Sequence, residues 1–306
     1  MRAAPKALTQ GVRFVFACLV AAVCACSLGC DGGKAGGSEP TGAAFNPPST
    51  VAMPVVPADC ATIDASFVSQ GYVIAHSSSA SKLKFQVSKD EMVYNYDLPN
   101  NDAPNVFPIN MGDGHYVMRI MKNTQGNDYI EVQREEVDVV LESEFAPFLI
   151  PNQFCDYNEN SACVAKAREL TADATNQGEA VSRICDFVTG HVTYDTEKAK
   201  ALSTMTGYVP NPDETLASGT GVCFDYASLG AAMLRSLGFP TKIITGYVTP
   251  GDLYHAWIMV YVDGSWQTGE FSVSPDTWSR VDLTFAASGS TEFTGDGTSY
   301  TERYVY

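Results

Sequence analysis

Histidine is scarce in this chain, with His76, His115, His191 and His255 the only four in 306 residues. No set of His, Cys and carboxylate residues has metal-ligand spacing, so neither a metal nor an organic cofactor is expected. Basic residues are sparse as well, 19 Lys and Arg against 35 Asp and Glu, for a net charge of −16. That balance argues against nucleic acid as a partner and against adsorption to anionic envelope polymers, both of which present dense negative charge. The apolar run near the start, Phe14 to Ala25, has 12 residues and is too short to span a bilayer.

That short run follows Arg2, Lys6 and Arg13. A basic segment followed by a short apolar one reads as a signal peptide over residues 1–25. Two tetrapeptides after it, Val23-Cys-Ala-Cys26 and Ser27-Leu-Gly-Cys30, resemble a lipobox, at which diacylglycerol is attached to the cysteine. Val23 and Ala25 fit the first, Leu28 and Gly29 the second, so Cys26 or Cys30 is the expected anchor to the outer face of the cell membrane. Residues 26–58 are rich in Gly, Ser, Ala and Pro without periodicity and read as a flexible tether. Without the signal peptide, 16 basic residues face 35 acidic ones, and the balance falls to −19.

The body beyond the tether exceeds one typical domain. Residues 59–146 read as short strands: Gly71-Tyr-Val-Ile-Ala75, Leu83-Lys-Phe-Gln-Val87, His115-Tyr-Val-Met-Arg-Ile120 and Tyr129-Ile-Glu-Val132. Ser-, Asn- and Gly-rich turns separate them, which suggests a β-sandwich-like accessory domain. His76 and His115 lie beside those turns and are expected to be exposed. From Ser161 the spacing becomes helical, over Cys163 to Thr171 and Glu179 to Thr189, with Asn160-Ser161 as a cap. Helices followed by strands make residues 147–306 an α+β domain. Cys155 and Cys163 are close enough in sequence to bridge, and whether they do stays open. Cys185 falls on the apolar side of its helix.

The most informative segment is Gly219-Thr-Gly-Val-Cys-Phe-Asp-Tyr-Ala227, where a glycine turn enters an apolar helix. Ala227, Ala231 and Leu234 recur at helical spacing and Gly238 is a stop. The free N–H groups and partial positive charge of a helix start favour a thiolate, so Cys223 is a candidate nucleophile. Tyr254-His-Ala-Trp-Ile-Met-Val-Tyr-Val262 reads as a strand that fixes the direction of His255, the candidate base. Asp282, in Trp278-Ser-Arg-Val-Asp-Leu-Thr-Phe285, is the candidate that binds the second ring nitrogen and sets the tautomer. Asp225, in the first turn of the Cys helix, reads as structural.

Gly221-Val-Cys-Phe-Asp-Tyr-Ala227, Tyr254-His-Ala-Trp257 and Val281-Asp-Leu-Thr-Phe285, in that order, resemble the transglutaminase-like superfamily of papain-like Cys–His–Asp enzymes. The similarity runs from about Asp186 to Ala287 and looks closest to secreted or lipid-anchored bacterial members. It implies a papain-like fold with Cys at a helix start and His and Asp on strands. Glu270 stands at the same spacing after Trp266 as Asp282 after Trp278, but Asp282 has the family's flanking residues. His191 resembles a helix end that carries no catalytic role. The backbone N–H of Cys223 is the natural oxyanion donor. Tyr208, Asn211 and Trp257 are candidates for the cleft wall or oxyanion site.

Three functions fit this pattern. A cysteine peptidase would release the acyl-enzyme with water, and a protein-glutamine acyltransferase would release it with an amine. An inactive surface-binding or scaffold module is the alternative. The expected partners are a peptide or protein substrate at the cell surface and the membrane.

Overall fold

The computed structural model describes residues 61–249, 253–262, 266–267, 272–273, 278–289 and 300–306. The signal peptide and tether, Cys26, Cys30, Cys60 and Glu270 lie outside the described residues.

Period-two patterning builds the first half. In Leu83–Lys89 the apolar Leu83, Phe85 and Val87 are buried while Lys84 and Gln86 between them are only partly so, as side chains alternate between the faces of a strand. Strands β1 (Ala61–Asp64), β2 (Tyr72–Ser77), β3 (Leu83–Lys89), β4 (Met92–Leu98), β5 (Asn105–Pro108), β6 (Gly114–Gln125) and β7 (Asp128–Val139) follow in order. They form two antiparallel sheets, β1-β2-β5 and β4-β3-β6-β7. Val73, Ala75 and Phe107 from the first meet Phe85, Tyr96 and Met118 from the second in one core, a sandwich-like arrangement. His115 is exposed, as expected, but His76 is not: it faces inward from β2 at 6% exposure and reaches Asp102. A turn beside a strand says nothing about which face its neighbour occupies.

The second half mixes helices and strands. Its elements are α1 (Ala162–Thr171), α2 (Gln177–His191), β8 (Thr193–Tyr194), α3 (Thr196–Leu202), α4 (Pro212–Ser218), β9 (Thr220–Gly221), α5 (Cys223–Ser236), β10 (Thr241–Val248), β11 (Leu253–Tyr261), β12 (Trp266–Gln267), β13 (Ser272–Val273), β14 (Trp278–Val281), α6 (Leu283–Ala287) and β15 (Tyr300–Val305). Four strands pair antiparallel in the order β14-β11-β10-β15. Ala231 and Leu234 of α5, Val181 and Ile184 of α2, and Ile243 and Ile258 of the sheet share a core that also holds Cys185.

The start of α1 differs from its expected cap. Ser161 is the N-cap by position, but its hydroxyl accepts from the Asn158 N–H. The free N–H groups of Ala162 and Cys163 donate instead to Asp213 of α4, at 3.1 and 2.8 Å. A carboxylate from another helix thus serves the orphan donors. Cys155 and Cys163 are separate buried thiols.

Strand β15 lies between the two halves. Tyr304 and Tyr306 pack edge-on against Tyr94, and Asn110 donates to the Val305 carbonyl at 2.6 Å. The buried Arg235 of α5 donates to the carbonyls of Thr241, Ile150 and Tyr306, at 2.7–2.8 Å each.

Candidate active site

Two glycines shape the turn into α5. Gly219 closes α4 in the left-handed region, at φ +63°, which a side chain rarely adopts. Gly221 passes so close to Asp225 that an added Cβ would sit 2.6 Å from the Asp225 Cβ. The parallel pairing of Thr193 with Thr220 and of Tyr194 with Gly221 ties this turn to the end of α2. Cys223 is then the first residue of α5, half-buried, with Val222 as N-cap. Its backbone N–H belongs to the first turn and has no intrahelical acceptor.

Asp225 is completely buried and holds three donors. One carboxylate oxygen accepts from the Val222 N–H at 2.8 Å and from Lys198 Nζ at 2.7 Å; the other accepts from the Tyr208 hydroxyl. This is one half of a capping box, and Val222 has no side-chain acceptor for the other half. The Lys198 ammonium stands beside the carboxylate and offsets its charge near the thiol.

His255 lies on β11 opposite Gly246 of β10 and is 3% exposed. Strand β14 pairs with β11 on the other side, Ile258 opposite Val281, so that Asp282 follows directly at the strand end. Its Oδ2 lies 2.8 Å from His255 Nε2 and accepts from the Tyr300 hydroxyl at 2.8 Å. Its Oδ1 accepts from the Thr284 and Phe285 N–H groups, capping α6. The carboxylate therefore has four partners and a fixed orientation. Phe285 stacks on the imidazole, with centroids 4.5 Å apart.

The Cys223 side chain also lies within interaction range of the ring. Nε2 is occupied by Asp282, which leaves Nδ1 for the sulfur. Burial pulls His255 down, but the Asp282 and Cys223 interactions outweigh it and push the ring up to about 10. The imidazole is therefore protonated at neutral pH. A cleft of about 480 Å³ opens beside it, between Tyr194, Leu253 and Phe285.

Cys223, His255 and Asp282 are brought together; the other expected residues are placed differently. Tyr208 is a tie on Asp225 rather than an open cleft wall. Asn211 caps α4, its Oδ1 accepting from Asp213 and Glu214, because an Asn before Pro212 supplies the acceptor that this helix start requires. Trp257 is 1% exposed and packs edge-on against Tyr300, so it supports the strand from inside. His191 Nε2 donates to the Leu216 carbonyl, 2.7 Å away, and the ring stacks on Phe187.

Tyr300, Lys198 and Tyr194 were not singled out from the sequence. Tyr300 opens Tyr300-Thr-Glu-Arg-Tyr-Val305, a strand that alternation could have revealed, though its contact with Asp282 has no local signal. No cluster of three or more His, Cys or carboxylate residues fit for a metal occurs among the described residues.

The family model for the transglutaminase-like superfamily matches residues 164–282. Among solved structures, the chain is similar to a provisionally assigned cysteine protease from Cytophaga hutchinsonii, at 15% identity and TM-score 0.34, over 77% of this chain and 86% of that one. It is also similar to the periplasmic domain of TgpA from Pseudomonas aeruginosa, at 12% identity and TM-score 0.33, over 77% and 98%. With red sea bream transglutaminase the identity is 11% and the TM-score 0.31, over 69% of this chain and 47% of the other. No curated protein matches the chain significantly. Residues 164–282, which hold Cys223, His255 and Asp282, are a transglutaminase-like domain preceded by a β-rich region.

Proposed function

We propose that this protein is an extracytoplasmic, lipid-anchored cysteine enzyme that acts on amide bonds of peptides or proteins. The reading rests on one observation: a buried imidazole hydrogen-bonded to a buried carboxylate, with a thiol at a helix start within interaction range of the same ring.

In the mechanism this supports, the Cys223 sulfur attacks the amide carbonyl carbon while His255 carries the proton. The oxyanion that forms lies beside the Cys223 N–H at the start of α5. His255 gives its proton to the leaving amine, the C–N bond breaks, and a thioester remains on Cys223. Water then attacks the thioester, His255 takes its proton, and the thiol is regenerated as the acid leaves. If an amine takes the place of water, the same steps make a new amide. Asp282 keeps the ring in register throughout and stabilises the imidazolium.

The test is labelling by a thiol-directed electrophile near neutral pH. The wild type should label at Cys223 and Cys223→Ala should not, with its fold intact by circular dichroism. Labelling that persists at another cysteine would overturn the assignment. Peptide turnover with and without a primary amine separates hydrolysis from acyl transfer. Lipid attachment is tested by metabolic labelling with a fatty acid, which should disappear in either Cys26→Ser or Cys30→Ser.

A further inference from the structure

The cleft beside the thiol and imidazole differs from the rest of the molecule in its charge. The chain as a whole carries −16, yet no Asp, Glu, Lys or Arg lines this cleft among the described residues. Val192 and Tyr226 are buried in its wall, and Phe285 forms one side of it. Tyr194 and Leu253, 43% and 55% exposed, come from β8 and β11. The other polar residues of the lining are Thr189, Thr193, Thr284, Ser288 and His255.

A single exposed apolar residue is ordinary on any protein surface. These two border one cleft, and that cleft reaches the reacting groups. Tyr194 interacts electrostatically with Cys223, and His255 itself lines the space. Asp282, the carboxylate bonded to the lining residue His255, is taken up by that ring, Tyr300 and two backbone N–H groups. A charged side chain entering here would lose its water and meet, among the described lining residues, only His255, whose charge Asp282 already balances, which is costly. An apolar one would gain by burial against Tyr194, Leu253 and Phe285. The volume, about 480 Å³, falls within the 300–1,000 Å³ range of small-ligand sites and suits one amino-acid side chain with its adjoining peptide unit.

We infer that this cleft is the specificity subsite for an uncharged, predominantly apolar side chain next to the bond that Cys223 attacks. The inference rests on the cysteine-enzyme reading above and adds the substrate class to it. Tyr194 and Leu253 are its specificity-determining residues, and the Thr193 hydroxyl is available to the peptide backbone, whereas the Ser288 hydroxyl already donates to the Phe285 carbonyl.

The experiment compares matched peptide substrates that differ at one position near the scissile bond, bearing Leu, Phe, Asp, Glu, Lys or Arg. For turnover that disappears in Cys223→Ala, kcat/KM should favour Leu and Phe over each charged residue by about tenfold or more. Equal or reversed preference, with turnover still dependent on Cys223, overturns this inference and leaves the proposed function standing. If no peptide turns over, matched peptidyl electrophiles carrying Phe or Asp read the same subsite through their rates of Cys223 labelling, and equal rates overturn it. If no such reagent modifies Cys223, both readings fail. Leu253→Lys supplies a cation with no carboxylate partner in the described lining and should raise the Glu-to-Leu ratio of kcat/KM by about tenfold. A ratio unchanged in the folded variant removes Leu253 from the subsite.

Discussion

The two halves of this molecule each contain a histidine–aspartate pair, and the pairs differ in everything but their length. In the β-rich half, His76 Nε2 meets Asp102 Oδ1 at 3.0 Å; in the transglutaminase-like half, His255 Nε2 meets Asp282 Oδ2 at 2.8 Å. Asp102 is 76% exposed on a turn, whereas Asp282 is 1% exposed and holds three further donors. The other ring nitrogen of His76 is buried without a partner, whereas the ring of His255 also interacts with the Cys223 side chain. An ion pair with one member in water is worth little, about 0–1 kcal/mol. What makes the second pair chemically useful is the third group, the water-excluded carboxylate and the cleft beside them.

The sharpest way to break this comparison is to remove the groups that only one pair has. Cys223→Ala and His255→Ala should each lower turnover by about 10⁴-fold or more, measured as kcat/KM on a peptide substrate, while His76→Ala leaves the same rate within twofold. Asp282→Asn keeps a capping acceptor for α6 but removes the charge and permits the wrong tautomer, so kcat should fall by about 10²–10⁴-fold. Asp102→Asn should leave it unchanged, and Glu270→Gln should cost less than Asp282→Asn. The reverse ranking of those last two would assign the orienting role to Glu270.

Asp225 tests whether burial alone makes a carboxylate matter. Asp225→Ala strands the Lys198 ammonium, the Tyr208 hydroxyl and the Val222 N–H, and should cost about 3–5 kcal/mol in denaturant unfolding. Stability should also depend on pH through His255. A free histidine titrates near 6.5 and this one is held up to about 10. The charged pair therefore contributes fully below about 6.5 and its contribution is lost as pH rises through about 10. The melting temperature should fall across that window in the wild type, and His255→Gln should flatten the decline. Smallest of all, His76→Gln should shift unfolding by about 1 kcal/mol or less.

The sequence alone made the local devices legible. Helical spacing located α2 and α5, short runs between turn residues located β2, β3, β6 and β7, with alternation in β3, and glycine punctuation located the turn into Cys223. Those signals arise within a few residues, where steric and periodic rules act. The strand Met92-Val-Tyr-Asn-Tyr-Asp-Leu98 also alternates and was overlooked, as were the shorter β1 and β5. Contacts made across the fold were not legible. Nothing near Ala162 announces that Asp213 will cap it, and nothing near Tyr208 announces Asp225. Asn211 and Trp257 illustrate the limit from the other side, because both stand next to the right motifs and serve structural ends.

Strand β15 and the residue after it, 300–306, connect these scales in one stretch of seven residues. Its first residue, Tyr300, steadies the carboxylate behind the imidazole, while Tyr304 and Tyr306 near its other end sit among the aromatic rings of the β-rich half. Loosening the sandwich would slacken the grip on Asp282 from a distance. The β-rich half is therefore a foundation of the geometry around His255 and Asp282, and trimming it away as a spare spacer would disturb that geometry without touching either residue.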